Sequence, residues 1–170
     1  MPETALICRV PEAERYIAHH RQRFDPPARR NVPAHVTVLY PFMDSALIDD
    51  AVRNTLRDVA AAVRRFEYRL RETRRFPSSL YLAPEPGDSF SALTDGVHRA
   101  FPDYPPFAGK FDTVVPHVTV AHGDEPQLCE IEIELRIALP GSGVPARCEE
   151  MVLIEFTGGR WEPRQAFTLG

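Results

Sequence analysis

The sequence contains few of the residues that build cross-linked, metal-bound or membrane-spanning proteins. Its 170 residues include only three cysteines, Cys8, Cys129 and Cys148, which are odd in number and far apart. This spacing fits neither a disulfide framework nor a CxxC metal site, so we expect three buried thiols. No apolar run approaches the roughly 18 residues of a membrane-spanning helix, and the first ten residues lack the basic flank and cleavage site of a signal peptide. We therefore expect a cytoplasmic protein without a membrane partner.

The common nucleotide-binding fingerprints and a strongly basic composition are also missing. There is no Walker-type loop and no Gly-rich dinucleotide motif. The net charge is −4, which argues against a protein that coats long nucleic acids, because such binding depends on the neutralisation of phosphates. With 44% hydrophobic residues, the chain is long enough to bury a good core, and we expect a single domain over residues 1–170.

Positive charge is nevertheless concentrated in one stretch. Residues 53–75 contain eight arginines against three acidic residues. Such a run is typical of the solvated face of a helix followed by an exposed strand. It is also compatible with a basic flank that guides a phosphate-bearing ligand towards a binding groove.

The most informative feature is a tetrapeptide, His-Val-Thr-Val, that occurs at residues 35–38 and again at residues 117–120. The alternation of polar and apolar residues predicts two short strands, each with His and Thr on one face and both valines on the other. If the valines anchor each strand in the core, the imidazole and the hydroxyl lie side by side on the opposite face. Two such strands facing one groove would place His35, Thr37, His117 and Thr119 around a single small anion.

Each half of the chain presents the same order of predicted elements before its tetrapeptide. A strand is followed by a helix and a proline-containing loop, at residues 4–10, 11–24 and 25–34 and again at residues 80–83, 88–101 and 102–116. A repeat of this length suggests a duplicated unit. The alternative is a chance repeat in which each histidine has an ordinary core or surface role.

The remaining elements follow from periodicity and from turn residues. Asp44 or Ser45 is predicted to cap a long helix, and residues 66–71 alternate as a half-buried strand. Residues 128–139 fit both a strand and a helix, and we choose the helix by analogy with the first half. Two more strands are predicted at residues 147–156 and 161–169, joined by a tight turn at Gly158 and Gly159.

Paired histidines and threonines are suited to phosphate chemistry. Imidazole is the side chain best matched to proton transfer near neutral pH, and two of them across one phosphorus can act as base and acid in the same displacement. Threonine hydroxyls would donate hydrogen bonds to the non-bridging oxygens as charge builds up on them. Such a site needs neither a metal nor another cofactor.

Two His-x-Thr-x motifs, 82 residues apart, resemble those of the 2H phosphoesterase superfamily, and within it the bacterial 2′-5′ RNA ligase-like or cyclic phosphodiesterase branch. The surroundings of the first motif, residues 32–42, are similar to that branch, as are residues 76–84. The resemblance covers nearly the whole chain. It implies an α+β, bilobal, pseudo-twofold fold in which antiparallel sheets line a central groove and the helices lie outside.

The resemblance also implies an activity, namely metal-independent hydrolysis of 2′,3′-cyclic phosphate ends of RNA or of small nucleotides to 2′-phosphates. By this resemblance His117 is the base, His35 is the acid, and Thr37 and Thr119 hold the phosphate. The acidic net charge departs from that of a dedicated RNA binder and puts 2′-5′ RNA ligation in doubt as the physiological activity. A monomer would suffice for this site. A non-catalytic module that binds nucleotides or phosphorylated ends in the same groove is the alternative.

Other histidines and aromatic residues lie near the motifs. His122 is expected to face away from His117, so that a metal site built on this pair would need a bend in the strand. Structural or surface roles are expected for His19, His20 and His98. Five aromatic residues near the motifs are candidates for stacking on a base: Tyr40, Phe42, Phe76, Tyr81 and Tyr104. Strand parity points Tyr40 away from the groove unless the strand bulges.

Overall fold

A computed structural model describes residues 3–170. Its strands are β1 (Glu3–Arg9), β2 (His35–Leu39), β3 (Phe66–Phe76), β4 (Ser79–Glu85), β5 (Val118–His122), β6 (Val144–Cys148), β7 (Glu150–Thr157) and β8 (Arg160–Thr168). Its α-helices are α1 (Glu14–Phe24), α2 (Pro26–Arg29), α3 (Asp50–Ala61), α4 (Asp88–Ala100) and α5 (Glu125–Ala138).

The strands form one antiparallel sheet in the order β6-β3-β4-β5-β2-β1-β7-β8. This order is symmetric about its centre, because β5-β4-β3-β6 on one side matches β2-β1-β7-β8 on the other. The strand that follows α3 joins the second half of the sheet, and the strand that follows α5 and β6 joins the first. One strand of the first half, β3, thus lies with the second half, and two strands of the second half, β7 and β8, lie with the first. The two tetrapeptide strands lie side by side at the centre.

The halves meet at a single residue pair, Val36 opposite Val118. The predicted α+β, pseudo-twofold fold is confirmed, with the predicted sheets joined into one through this pair. The helices cross between the halves as well, since α1 packs against β5 and α4 packs against β2. These crossed contacts fix the two central strands relative to each other.

The main hydrophobic core lies between the helices and one face of the sheet. Its fully buried large side chains include Leu6, Ile17, Leu56, Phe90 and Leu128. Each such side chain contributes about 1.5–3 kcal/mol on transfer from water. A smaller apolar cluster lies apart from this core and is formed by Ala5, Ile7, Val32, Val152 and Ile154.

Several predicted boundaries are corrected by the structure. Asp44 caps only a short 3-10 turn, by accepting a hydrogen bond from the Ala46 N–H, whereas Asp49 caps α3 by accepting one from Val52. Strand β3 extends beyond residue 71 to Phe76 because β4 pairs with it along that whole length. The single strand predicted at residues 147–156 is two strands, β6 and β7, which lie in opposite halves of the sheet.

The helical choice for residues 128–139 is confirmed by α5. Helical spacing buries Leu128, Ile131 and Leu135, while Ile133 and Ile137, which continue the strand-like alternation, are exposed. The expectation of three buried thiols is wrong for Cys129, which lies exposed on α5.

No helix within residues 3–170 has the length and apolar character needed to cross a bilayer.

Candidate active site

Both tetrapeptides lie as the alternation predicts. The four valines are at most 1% exposed, whereas His35, Thr37, His117 and Thr119 are half-buried on the opposite face. The valines therefore hold each strand against the core, and the polar groups are presented to a groove on the other side.

The strand register brings the four polar residues together. Val36 lies opposite Val118 in an antiparallel pair. The register of this pair, extended by one residue in each direction, places His35 opposite Thr119 and Thr37 opposite His117. Directly opposite residues have Cβ atoms about 4.5–5.5 Å apart, and diagonal neighbours such as the two histidines about 7–8 Å. This spacing leaves room for one phosphate group between the rings.

Both strands bulge one residue after the threonine. On β2 the register shifts at Val38, and on β5 it shifts at Val120. An extra residue in a strand reverses the parity of the residues after it, so Tyr40 and His122 return to the groove face. The expectation that Tyr40 and His122 face away is therefore corrected, and the duplicated halves share the bulge as well as the motif.

Each imidazole is fixed by the backbone two residues before it. His35 Nδ1 lies 2.8 Å from the Pro33 carbonyl oxygen, and His117 Nδ1 lies 2.8 Å from the Val115 carbonyl oxygen. A carbonyl oxygen can only accept, so Nδ1 carries the proton in each neutral ring. Nε2, at the opposite edge of each ring, is then the atom free to take or give a proton.

Burial makes both rings weakly basic. It lowers the pKa of His35 to about 4, partly offset by the hydrogen bond to the Pro33 carbonyl, with a further lowering by the nearby Arg21 charge. Burial also lowers the pKa of His117, again offset in part by its carbonyl partner. Both imidazoles are therefore neutral at pH 7 in the absence of an anion.

A buried ion pair lies behind His35. Arg21 Nε donates to Asp25 Oδ2 at 2.9 Å, and both side chains are at most 3% exposed. Arg21 Nη1 also donates to the Val32 carbonyl at 3.0 Å, which ties α1 to the loop that leads into β2. The second Asp25 oxygen lies 3.4 Å from His122 Nε2, and both partners lower the pKa of Asp25 against the effect of its burial. This chain of contacts links the two halves at one end of the groove.

Aromatic rings surround the two histidines. The His117 ring meets Phe76 and Tyr81 edge-on, with centroids 5.1 and 5.6 Å away, and Phe107 lies nearly parallel to it at 6.4 Å. On the other side, a cavity of about 300 Å³ opens beside His35. It is lined by the rings of Tyr40, Phe107, Phe156 and Trp161.

Of the five aromatic residues considered for stacking, three reach the groove and two do not. Tyr40, Phe76 and Tyr81 lie beside the motifs, whereas Phe42 and Tyr104 pack against each other at the core. Three groove-side rings escaped the sequence analysis: Phe107, Phe156 and Trp161. Phe107 comes from a proline-rich loop, whereas Phe156 and Trp161 are paired in a distant hairpin. In the sequence, only the Gly158-Gly159 turn indicates that hairpin.

The histidines outside the groove have other surroundings. In the part of the chain that the structure describes, the one cluster of three side chains able to hold a metal ion is His19, His20 and Glu134. It joins α1 to α5 and includes neither His117 nor His122.

A sequence model of the family described as the 2′-5′ RNA ligase superfamily matches residues 10–160. No curated protein sequence matches the chain significantly.

Solved structures with the same fold include Escherichia coli LigT in complex with 3′-AMP, which is 18% identical, with a TM-score of 0.59 and 99% of both chains covered. The protein TT0787 of Thermus thermophilus is 19% identical, with a TM-score of 0.61 and 98% of this chain and 97% of that chain covered. A protein of unknown function, ATU0111 of Agrobacterium tumefaciens, is 21% identical, with a TM-score of 0.52 and 98% of this chain and 85% of that chain covered.

Proposed function

We propose that this chain, which belongs to the 2′-5′ RNA ligase superfamily, is a metal-independent phosphodiesterase that opens 2′,3′-cyclic phosphates to 2′-phosphates. The observation that carries the proposal is the symmetric pair of imidazoles, each held at Nδ1 by a backbone carbonyl and flanked by a threonine of the opposite strand. Its substrates are RNA ends or small nucleotides that carry a cyclic phosphate.

The proposed reaction is a single in-line displacement. His117 Nε2 takes a proton from water as the water oxygen attacks phosphorus, and the bond from phosphorus to the 3′ oxygen breaks. His35 gives its proton to that leaving oxygen, so the phosphate remains on the 2′ oxygen. Thr37 and Thr119 donate hydrogen bonds to the non-bridging oxygens, where negative charge increases. Exchange of protons with solvent then restores the pair.

The low proton affinity of both rings supports this scheme. A neutral imidazole is available as the base at pH 7, because burial lowers the pKa of each ring. The proton of the acid is stabilised when the anionic phosphate enters the groove, since an opposite charge favours the protonated imidazole.

Replacement of the histidines tests the proposal. His35→Ala and His117→Ala are each expected to reduce turnover of nucleoside 2′,3′-cyclic phosphates by about 10²–10⁴-fold, the usual contribution of a general acid or base. His98→Ala, on α4 outside the groove, is the matched control and is expected to keep wild-type turnover. Full activity of both groove variants would overturn the proposal.

The direction of proton transfer has its own test. A cyclic substrate with sulfur in place of the leaving 3′ oxygen needs little protonation, because a thiolate is a good leaving group. His35→Ala is expected to regain most of its activity on this substrate, whereas His117→Ala is not. The reverse pattern would exchange the two roles.

The alternative is a non-catalytic module that binds nucleotides in the same groove. It predicts measurable binding of 2′-phosphorylated nucleotides without turnover of any cyclic phosphate. A screen of nucleoside 2′,3′-cyclic phosphates and short cyclic-ended RNAs, with identification of the product phosphate, separates the two functions. Its order of preference also shows whether RNA ends or free nucleotides are the better substrates.

We further propose that residues 1–170 act as one domain and as a monomer, because all four polar groups of the groove come from one chain, and that the protein works in the cytoplasm. Sedimentation of the active protein as a 19.2 kDa species would support this, and activity confined to a larger species would contradict it.

A further inference from the structure

The cavity beside His35 has a composition that the proposed chemistry does not require. About 300 Å³ of space is enclosed by four aromatic rings above an apolar floor that includes Ala5, Ile7 and Ile154. Trp161 meets Tyr40 edge-on at 6.0 Å and is tilted against Phe156 at 5.5 Å. We propose that this cavity binds the nucleobase of the nucleoside whose cyclic phosphate lies between the histidines, an inference that rests on the proposed function.

The size and shape of the cavity favour one planar heterocycle. Pockets for small ligands span about 300–1,000 Å³, so this one is large enough for a single base and too small for two. Aromatic walls favour flat rings, since a base stacked on an aromatic side chain contributes about 1–3 kcal/mol.

The Phe107 wall is held in an unusual backbone conformation. Phe107 and Ala108 have φ angles of 51° and 54°, in the left-handed region that side-chain-bearing residues rarely adopt. The Phe107 N–H donates to the Tyr40 carbonyl at 2.7 Å, which fixes the loop to the end of β2. Strain of this kind persists where the surrounding structure enforces it, and it is concentrated at ligand sites. Here the strained loop holds the Phe107 ring in the wall of the cavity, which His35 also lines.

The polar rim of the cavity distinguishes between bases. Glu3 Oε1 accepts a hydrogen bond from the Tyr40 hydroxyl at 3.0 Å, so the carboxylate is oriented at the cavity wall. Its oxygens can only accept, and they therefore favour bases with an exocyclic amino group over uracil. Arg30 also lines the cavity, and its guanidinium lies over the Phe156 ring at 5.7 Å from the ring centroid.

The position of the cavity also gives the substrate a direction. In an in-line displacement, the attacking water and the leaving oxygen lie on opposite sides of phosphorus. The leaving oxygen belongs to the ribose, and the ribose carries the base. A base in the cavity therefore places the leaving oxygen near His35, which agrees with the proposed role of His35 as the acid.

The test compares substrates with and without a base. For the wild-type protein, we expect kcat/KM for cytidine 2′,3′-cyclic phosphate to exceed that for the base-free methyl riboside 2′,3′-cyclic phosphate. Trp161→Leu is expected to lower kcat/KM about 5- to 100-fold on the nucleoside, corresponding to one lost stacking contact, and to leave the methyl riboside unchanged. Tyr16→Leu is the matched control, since Tyr16 is also a half-buried aromatic residue, but it packs against the main core from α1. The ratio of kcat/KM for the nucleoside to kcat/KM for the methyl riboside should be the same in Tyr16→Leu as in the wild type.

A second variant tests the rim. Glu3→Gln is expected to reduce the preference for the cytidine substrate over the uridine substrate, because the amide also offers a donor. If Glu3→Gln prefers the cytidine substrate to the same degree as the wild type does, this part of the proposal is overturned.

Failure of this inference can be distinguished from failure of the proposed function. If the protein turns over both substrates, and Trp161→Leu lowers kcat/KM equally for both or for neither, the base site is overturned and the phosphodiesterase proposal stays intact. If neither substrate is turned over, the proposed function fails. Calorimetric binding of adenosine 2′-monophosphate then tests the cavity alone, and equal affinity of the wild type and Trp161→Leu would overturn it.

Discussion

The pH dependence of turnover is the most direct test of the histidine pair, because the structure sets the protonation of both rings. Burial lowers the pKa of His35 to about 4 and also lowers the pKa of His117 below its ordinary value of 6.5. The proposed reaction needs one proton on the pair, since one ring accepts while the other donates. Above about pH 6.5, the free protein must therefore gain a proton before it can react.

The expected magnitude follows from this requirement. Above both pKa values, the singly protonated fraction falls tenfold per pH unit, so kcat/KM should fall about 100-fold between pH 6.5 and pH 8.5. It should fall again at low pH, once both rings are protonated together, and the His35 pKa of about 4 places this limb in the acid range. The optimum of kcat/KM is therefore expected on the acid side of neutrality.

The profile of kcat is expected to differ because the bound phosphate is charged. An anion about 4 Å from an imidazolium contributes about 4 kcal/mol at an effective dielectric constant of 20. This is a factor of about 10³ in proton affinity. We therefore expect the alkaline limb of kcat to lie about two to three pH units above that of kcat/KM.

Steady-state kinetics on cytidine 2′,3′-cyclic phosphate from pH 4 to 9, at constant ionic strength, measures both profiles. His98→Ala should reproduce the wild-type profiles, and circular dichroism at each pH excludes unfolding. A kcat/KM that is flat or rises from pH 6.5 to 8.5 would refute the reasoning. The profile has the same shape whichever ring holds the proton, so it tests the pair, while the sulfur-substituted substrate tests the assignment.

Three further changes test the groove and its support. Thr37→Val should lower kcat/KM by about 10²–10³-fold, as loss of one oxyanion donor does. Thr37→Ser keeps the hydroxyl and should stay close to wild type. An equal loss in both variants would contradict a hydrogen-bonding role. Arg21→Met leaves the buried Asp25 carboxylate without its ion-pair partner. It should reduce the free energy of unfolding, measured by urea titration, by about 3–5 kcal/mol. A change below about 1 kcal/mol would contradict a stabilising role of the ion pair. Phe90→Ala removes a core ring and should cost about 3–5 kcal/mol without changing kcat per folded molecule, and a large loss of kcat would show that the core position is coupled to the groove.

The sequence predicts the groove residues well because strand parity is a local property. Alternation over four residues is enough to place His35 and Thr37 on one face and Val36 and Val38 in the core. Parity fails after Val38 because the bulge is stabilised from elsewhere in the chain. The Thr94 hydroxyl of α4 donates to the Val38 carbonyl at 2.8 Å, a contact that no local pattern contains. The side on which Tyr40 lies therefore follows from tertiary structure.

The arginine-rich stretch shows the same limit. Its composition left a solvated surface and a phosphate-guiding flank as alternatives. In the structure Arg71 and Arg74 pair with Glu85 and Glu72, and Arg75 pairs with Glu132 of α5. These three of the eight arginines contribute little to a long-range field, because their charges are paired, as the first interpretation expects. Two of these carboxylates lie on other elements of the fold, so composition along residues 53–75 could not reveal them.

The duplicated halves share the features that the proposed proton transfer needs, and they differ in what surrounds each histidine. In both halves a carbonyl fixes Nδ1, a threonine follows two residues later, and a bulge returns the fifth residue after the histidine to the groove. That residue is Tyr40 in one half, beside an aromatic cavity, and His122 in the other, beside the buried Asp25 carboxylate. A symmetric pair alone could transfer protons in either direction across a phosphate. An apolar cavity on one side and a polar cluster on the other would let the proposed substrate bind in one orientation, and this asymmetry would give otherwise equivalent imidazoles the different roles proposed for them.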